Sequence, residues 1–252
     1  MRYVIKVAYD GTAYGGWQIQ NNSVTVQEKL TQALNSVIGG GVTVKASGRT
    51  DAGVHAAGQI CHFDAMTTIP PEKIADALNT VLPQDISVLA SAAAPDGFDA
   101  QSSAKRKTYL YRLYSSRYPN PLKERFAVRI NNGLDYGKLV QAAGFFEGEH
   151  DFKAYCSSGS SVKTTVRRIY SVNVDVRADG NETDVEIRVT GNGFLYNMVR
   201  TLVGTMLFYA SDIIDEGRIL RSLSEGDRDA VGKTMPAKGL VLESVDYGTV
   251  LF

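Results

Sequence analysis

The sequence predicts an α+β protein of two ferredoxin-like (RRM-like) halves, with mainly antiparallel sheets sharing a central cleft. Three observations lead there. The first hundred residues carry helical and strand periodicities in the order β-α-β-β-α-β, the split unit of that fold. The second half roughly repeats this order, with insertions. The length, 252 residues, is ample for two cores. The division is placed at residues 1–104 and 105–252.

Residues 2–9 alternate as a strand. Residues 11–20 form a Gly-rich loop holding Tyr14 and the single tryptophan, Trp17. Thr25-Val26-Gln27-Glu28 is a capping box, followed by Val26, Leu30, Ala33, Leu34 and Val37 at helical spacing and by a stop at Gly39-Gly40-Gly41. A strand at 42–46, a loop and a strand at 59–64 come next. Pro70-Pro71 opens a second helix with Ile74, Ala77, Leu78 and Val81 on one face, and 86–91 closes the first half. In the second half, aromatics at 107–114 favour a strand, with a further short one at 125–130. Tyr136–Phe146 has helical periodicity, and 166–177 with 183–190 form a hairpin about Ala178-Asp179-Gly180-Asn181. Apolar Tyr196–Tyr209 and short Gly217–Leu223 are helices, and 241–247 is the last strand.

Composition is ordinary for a globular chain, 44% hydrophobic and 21% charged. No apolar run is long enough to span a membrane, and the N-terminus carries no signal-peptide block, so a cytoplasmic protein is expected. Cys61 and Cys156 form no CxxC pair, which disfavours a zinc site or a disulfide framework. Formal net charge is zero, yet the charge is segregated. Residues 105–129 hold Lys105, Arg106, Lys107, Arg112, Arg117, Lys123, Arg125 and Arg129 against Glu124, whereas 212–229 is mostly acidic. Charge alone leaves the basic run open between a phosphate-binding face and a solvated one.

The stretch Ser47-Gly48-Arg49-Thr50-Asp51-Ala52-Gly53-Val54-His55 lies between two predicted strands, with Gly48 and Gly53 bracketing an Arg and an Asp. Glycine permits backbone angles that could hold a charged pair at a sheet end. Taken alone, the stretch reads better as a solvated turn with a surface ion pair. His55 and His62 read better as hydrogen-bonded or packing residues than as metal ligands, and His150 as a capping or surface residue. Gly226 to Thr234 resembles a P-loop but has five residues between its glycines where four are needed, two of them acidic. Tyr109 and Tyr111 share a strand face, as core residues or as a platform for a base. Arg200 sits in a nearly uncharged helix and needs a carboxylate or a route to solvent.

Taken together, Gly16-Trp17-Gln18-Ile19-Gln20, Ser47 through His55, Lys107-Thr108-Tyr109-Leu110-Tyr111, Asn197-Met198-Val199-Arg200 and Lys238-Gly239-Leu240-Val241-Leu242 resemble, in order, the motifs of the tRNA pseudouridine synthase A family. The resemblance covers almost the whole chain. It implies that Asp51 is the catalytic aspartate, that Tyr109 stacks on the target base, that Arg200 partners the aspartate and that Arg49 helps move the nucleotide out of the stack. It further implies a homodimer acting on the anticodon arm of tRNA, with no cofactor and no metal. An Arg partner lowers a carboxyl pKa, so an ionised Asp51 is expected at neutral pH. The chain departs from the family at Gln101, where arginine is common, and at Thr201, where asparagine is frequent. Two other readings are a non-catalytic RNA-binding module and a glycosidase-like hydrolase. The hydrolase needs a second carboxylate that the Asp51 motif lacks.

Overall fold

A computed structural model describes residues 1–130, 133–159 and 162–252. The elements run β1 (Arg2–Tyr9), α1 (Val26–Ile38), β2 (Lys45–Ala46), β3 (His55–Asp64), α2 (Ile74–Asn79), β4 (Ile86–Ala93), β5 (Arg106–Ser115) and β6 (Val128–Ile130). They continue with α3 (Tyr136–Gly144), β7 (Gly148–Asp151), β8 (Val166–Asp179), β9 (Glu182–Gly191), α4 (Met198–Ala210), α5 (Glu216–Ser224) and β10 (Leu240–Asp246). The α+β class and the mostly antiparallel pairing expected from sequence are observed. By contacts the chain divides into Met1–Lys107 with Val241–Phe252, and Thr108–Leu240.

In the first unit the strands follow the order β4-β1-β3, with β2 pairing β3, which is the split β-α-β-β-α-β arrangement. β10 pairs β3 in parallel at Val241–His55 and Leu242–Ala56. α1 starts where Thr25 Oγ1 accepts from Glu28 N, a cap contributing roughly 1 kcal/mol. It buries Val26, Leu30, Ala33 and Leu34. The β1–β3 register sets Tyr3 beside Phe63, with stacked rings at 5.4 Å. It also sets Arg2 beside Asp64 as a bidentate pair, 2.8 Å at both contacts.

In this unit two expected elements are shorter than their patterns. Of the strand at 42–46 only Lys45–Ala46 is ladder. The Asn35 amide instead bonds both the N–H and the carbonyl of Val42, and Gln27 Nε2 donates to Val44 O. The backbone there is satisfied by side chains of α1. α2 ends at Asn79, whose amide bonds Val88 N and O, and Val81 is exposed rather than on the buried face.

In the second unit the order is β5-β9-β8-β7, with β6 parallel to β5. The β8–β9 hairpin turns at Gly180, one of the positions in the left-handed region (φ 57°). α4 is buried along most of its length. β7 has no counterpart in the sequence reading: Gly148–Asp151 is short and polar, and it forms by pairing with Val166–Ile169 of β8. His150 therefore stands on a strand, edge-on to Phe152. Among the described residues no helix is long and apolar enough to cross a membrane.

Candidate active site

The loop between β2 and β3 carries Arg49 and Asp51. Its entry is fastened group by group. Ser47 N donates to Ile60 O at 2.8 Å, and Ser47 Oγ donates to Gln59 Oε1 at 2.6 Å. Gln59 Nε2 donates to Gly48 O at 2.8 Å, and Lys107 Nζ donates to Ser47 O at 2.6 Å. Further along, Thr50 is buried, its hydroxyl shares a 2.8 Å hydrogen bond with Tyr9 OH, and its carbonyl accepts from Trp17 N. Val54 N closes a turn onto Asp51 O. Of the two bracketing glycines, only Gly53 has positive φ, 77°. Asp51 is half-buried and Arg49 exposed. A carboxylate is thus presented on a turn whose backbone is fixed on both sides, the condition for a positioned ionisable oxygen.

The Trp17 loop backs this turn closely. A Cβ on Gly16 would lie 2.7 Å from Thr50 O, and Gly16 has φ 97°, so a side chain there fails on both counts. His55, at the start of β3, is buried. Its Nδ1 lies 3.0 Å from Gly11 N and 3.1 Å from Asp10 Oδ1, and it can accept from the first or donate to the second but not both. His62 is also buried, and its Nδ1 accepts from Ala100 N. Both histidines are hydrogen-bonded, as the sequence suggested for His55; for His62 it suggested packing, and that ring also meets Phe98 edge to face at 6.3 Å.

Tyr109 and Arg200 belong to the second unit. Tyr109, on β5, is 8% exposed and meets Phe194 edge to face at 5.1 Å. Tyr111 and Tyr114 are fully buried, with the Tyr111 hydroxyl donating to Pro236 O. Tyr111 is therefore the core member of the strand-face pair, held between β5 and the segment before β10. Arg200 lies in the first turn of α4. Its Nε donates to Met235 O at 2.6 Å and its Nη1 to Asn197 Oδ1 at 2.5 Å. Asn197 holds φ 61°, and its Nδ2 donates to Ser157 Oγ. The false P-loop has a plain structural role, because Gly232 N donates to Thr205 Oγ1 and the Thr234 hydroxyl shares a hydrogen bond with that of Thr201.

The basic run is less free than its composition suggests. Lys123 pairs with Glu182 and Asp184, and Arg112 lies 3.6 Å from Glu186. Lys107 is turned onto Ser47, whereas Lys105 and Arg106 are exposed. A cavity of about 250 Å³ in this unit, between Leu113, Leu122, Phe126 and Val185, includes neither Tyr109 nor Arg200. Sequence reasoning missed Gln59, Lys107 and Asn197 as supports. Only Asn197 carried a signal, since Asn tolerates the left-handed region at a helix start.

Comparison with known proteins sets this geometry in context. The family model for tRNA pseudouridine synthase matches residues 5–101 and 142–248. A tRNA pseudouridine synthase A of Ruminiclostridium cellulolyticum is 41% identical over 243 residues, 96% of this chain and 98% of that protein. Its counterpart in Bacillus velezensis is 41% identical over 249 residues, covering 98% and 99%. The Bacillus subtilis protein of the same name is 39% identical with the same coverage.

Proposed function

Because the chain belongs to the tRNA pseudouridine synthase A family, isomerases of tRNA, we propose that it converts uridines of the anticodon stem-loop, positions 38–40, using Asp51 as nucleophile. The reaction breaks the N1–C1′ glycosidic bond, turns the uracil and joins C5 to C1′. The proton leaves C5 and N1 regains one, so no electrons are exchanged with a cofactor. Asp51 supplies the ionised oxygen, attacking either the sugar or the uracil ring. Tyr109 stacks on the extruded base without offering a strong base. Arg49 displaces the nucleotide from its stack, and Arg200 is the cationic partner of the carboxylate. The enzyme works as a cytoplasmic homodimer.

The observation that carries this reading is the Asp51 turn, fixed at Ser47, Gly48 and Thr50 by Gln59, Lys107, Tyr9 and Trp17. A solvated surface turn has no need of such anchoring. The test is to incubate the protein with unmodified tRNA and map pseudouridine. Conversion confined to positions 38–40 is expected. Binding without conversion would make it a binding module, release of free uracil a hydrolase, and conversion elsewhere would overturn the site preference.

A further inference from the structure

We propose that Lys107 is a positioning residue: its ammonium fastens the Ser47 carbonyl and so fixes the point at which the chain enters the turn bearing Asp51. The inference rests on the reading that Asp51 carries the chemistry. Three observations bring it out.

The first is that Lys107 completes a set. The Ser47 N–H is taken by Ile60 and its hydroxyl by Gln59, which leaves the carbonyl, and Lys107 Nζ reaches it at 2.6 Å. The second is the residue that follows. A Cβ built on Gly48 would lie 2.9 Å from Lys107 Nζ and 3.9 Å from its Cε, with no other neighbour within 4 Å. Gly48 does not have positive φ, so the backbone does not demand glycine there. The volume a side chain would occupy is the volume the ammonium uses. The third is that the lysine is a poor choice for stability. Burial pushes its pKa down to about 8, and among the described residues no carboxylate lies within ion-pair distance of it. An apolar chain of similar length would suit the fold better, because a half-buried charge with one acceptor is under-compensated. What the lysine supplies is a charge-assisted bond to the loop backbone.

The test measures kcat and KM by tritium release from C5-labelled uridine in tRNA, with melting midpoints alongside, for Lys107→Met, Lys107→Arg, Gly48→Ala, and Gly48→Ala on a Lys107→Ala background. Lys107→Met should lower kcat by about a hundredfold, the scale of a misplaced reacting group, with KM nearly unchanged and a melting midpoint no lower than the parent's. Lys107→Arg should recover part of the rate. Gly48→Ala should lower kcat when Lys107 is present and have little further effect when it is absent, since the two act through one contact. Parental kcat in Lys107→Met, a change confined to KM, or additive effects of the Gly48 and Lys107 changes would overturn the proposal. So would a rate loss matched by lower melting, or a variant that does not fold. Asp51→Asn serves as the control. If it stays active, the site assignment itself falls; if it is inactive while Lys107→Met is parental, only the role of Lys107 falls.

Discussion

The Asp51 turn and the start of α4 are both built to hold one charged side chain, but they do it differently. The turn is held through its backbone and the hydroxyls of Ser47 and Thr50, by partners distant in sequence: Tyr9, Trp17, Gln59 and Lys107. Arg200 is held at its guanidinium, by Asn197 three residues before it and by the Met235 carbonyl. A carboxylate presented by a loop cannot rely on helix geometry for its direction, so direction comes from anchoring the chain around it. An arginine in the first turn of a helix has its Cα placed already and needs only its flexible end fixed. Breaking an uncharged anchor of the turn should therefore cost stability and rate together, whereas removing the Lys107 ammonium or breaking the guanidinium clamp should cost mainly rate.

The largest separation is expected at Gln59, which is buried and holds both Ser47 and Gly48. Gln59→Leu strands a buried hydroxyl, costing ~1–3 kcal/mol of stability, and a part-buried carbonyl, costing less. It also frees the loop entry, lowering kcat by about a hundredfold. Chemical denaturation together with tritium-release kinetics checks both halves. A stability loss with parental kcat would show that the anchor supports the fold and not the carboxylate.

A smaller effect is expected at Asn197. Asn197→Gly keeps the left-handed backbone and removes the amide, and Asn197→Ala also strains the φ of 61° by roughly 1–2 kcal/mol. Loss of a hydrogen bond to a charged group, of order 1.5 kcal/mol, should lower kcat about tenfold in both. Both should melt earlier, the alanine variant by more because of the added backbone strain. Equal melting with unequal rates would reverse the account of this clamp.

The smallest effect is a pH dependence confined to the scaffold under the turn. Burial, followed by the charges of Arg2 and Lys45, holds the pKa of His62 below 6.5 against the opposing pull of Asp99 and Asp64. Between that folded value and 6.5 the unfolded chain binds more protons, so stability falls as pH drops below 6.5 and is unaffected above it. His62→Asn keeps an acceptor for Ala100 N and removes the titration. Its denaturation midpoint should fall less than the parent's between pH 7.5 and 5.5. Parallel curves would show that His62 is not the titrating group.

Much of this was legible in the sequence, for identifiable reasons. The Thr25 cap, the α1 stripe and the β8–β9 hairpin are local patterns, and local patterns survive folding. Asp51 and Arg200 stood out because a glycine-framed Arg-Asp pair and an arginine in an apolar helix are both chemically conspicuous. The strand at 42–46 was overestimated because side chains of Asn35 and Gln27 replaced the ladder. β7 was missed because its four residues gain their geometry from β8 alone. Gln59 and Lys107 were illegible as supports, since a glutamine in a strand and a lysine in a basic run look ordinary until the chain folds. The basic run itself was misleading in part, because Lys107, Arg112 and Lys123 meet acceptors within the protein.

The central claim is that the anchored turn exists to present the Asp51 carboxylate, and Asp51→Asn tests it most directly. The substitution keeps shape while removing charge and nucleophilicity. Tritium release from C5-labelled uridine in tRNA should vanish, while tRNA affinity stays within about tenfold, or roughly 1.4 kcal/mol, and circular dichroism matches the parent. A folded Asp51→Asn enzyme releasing tritium at the parental rate would contradict the account.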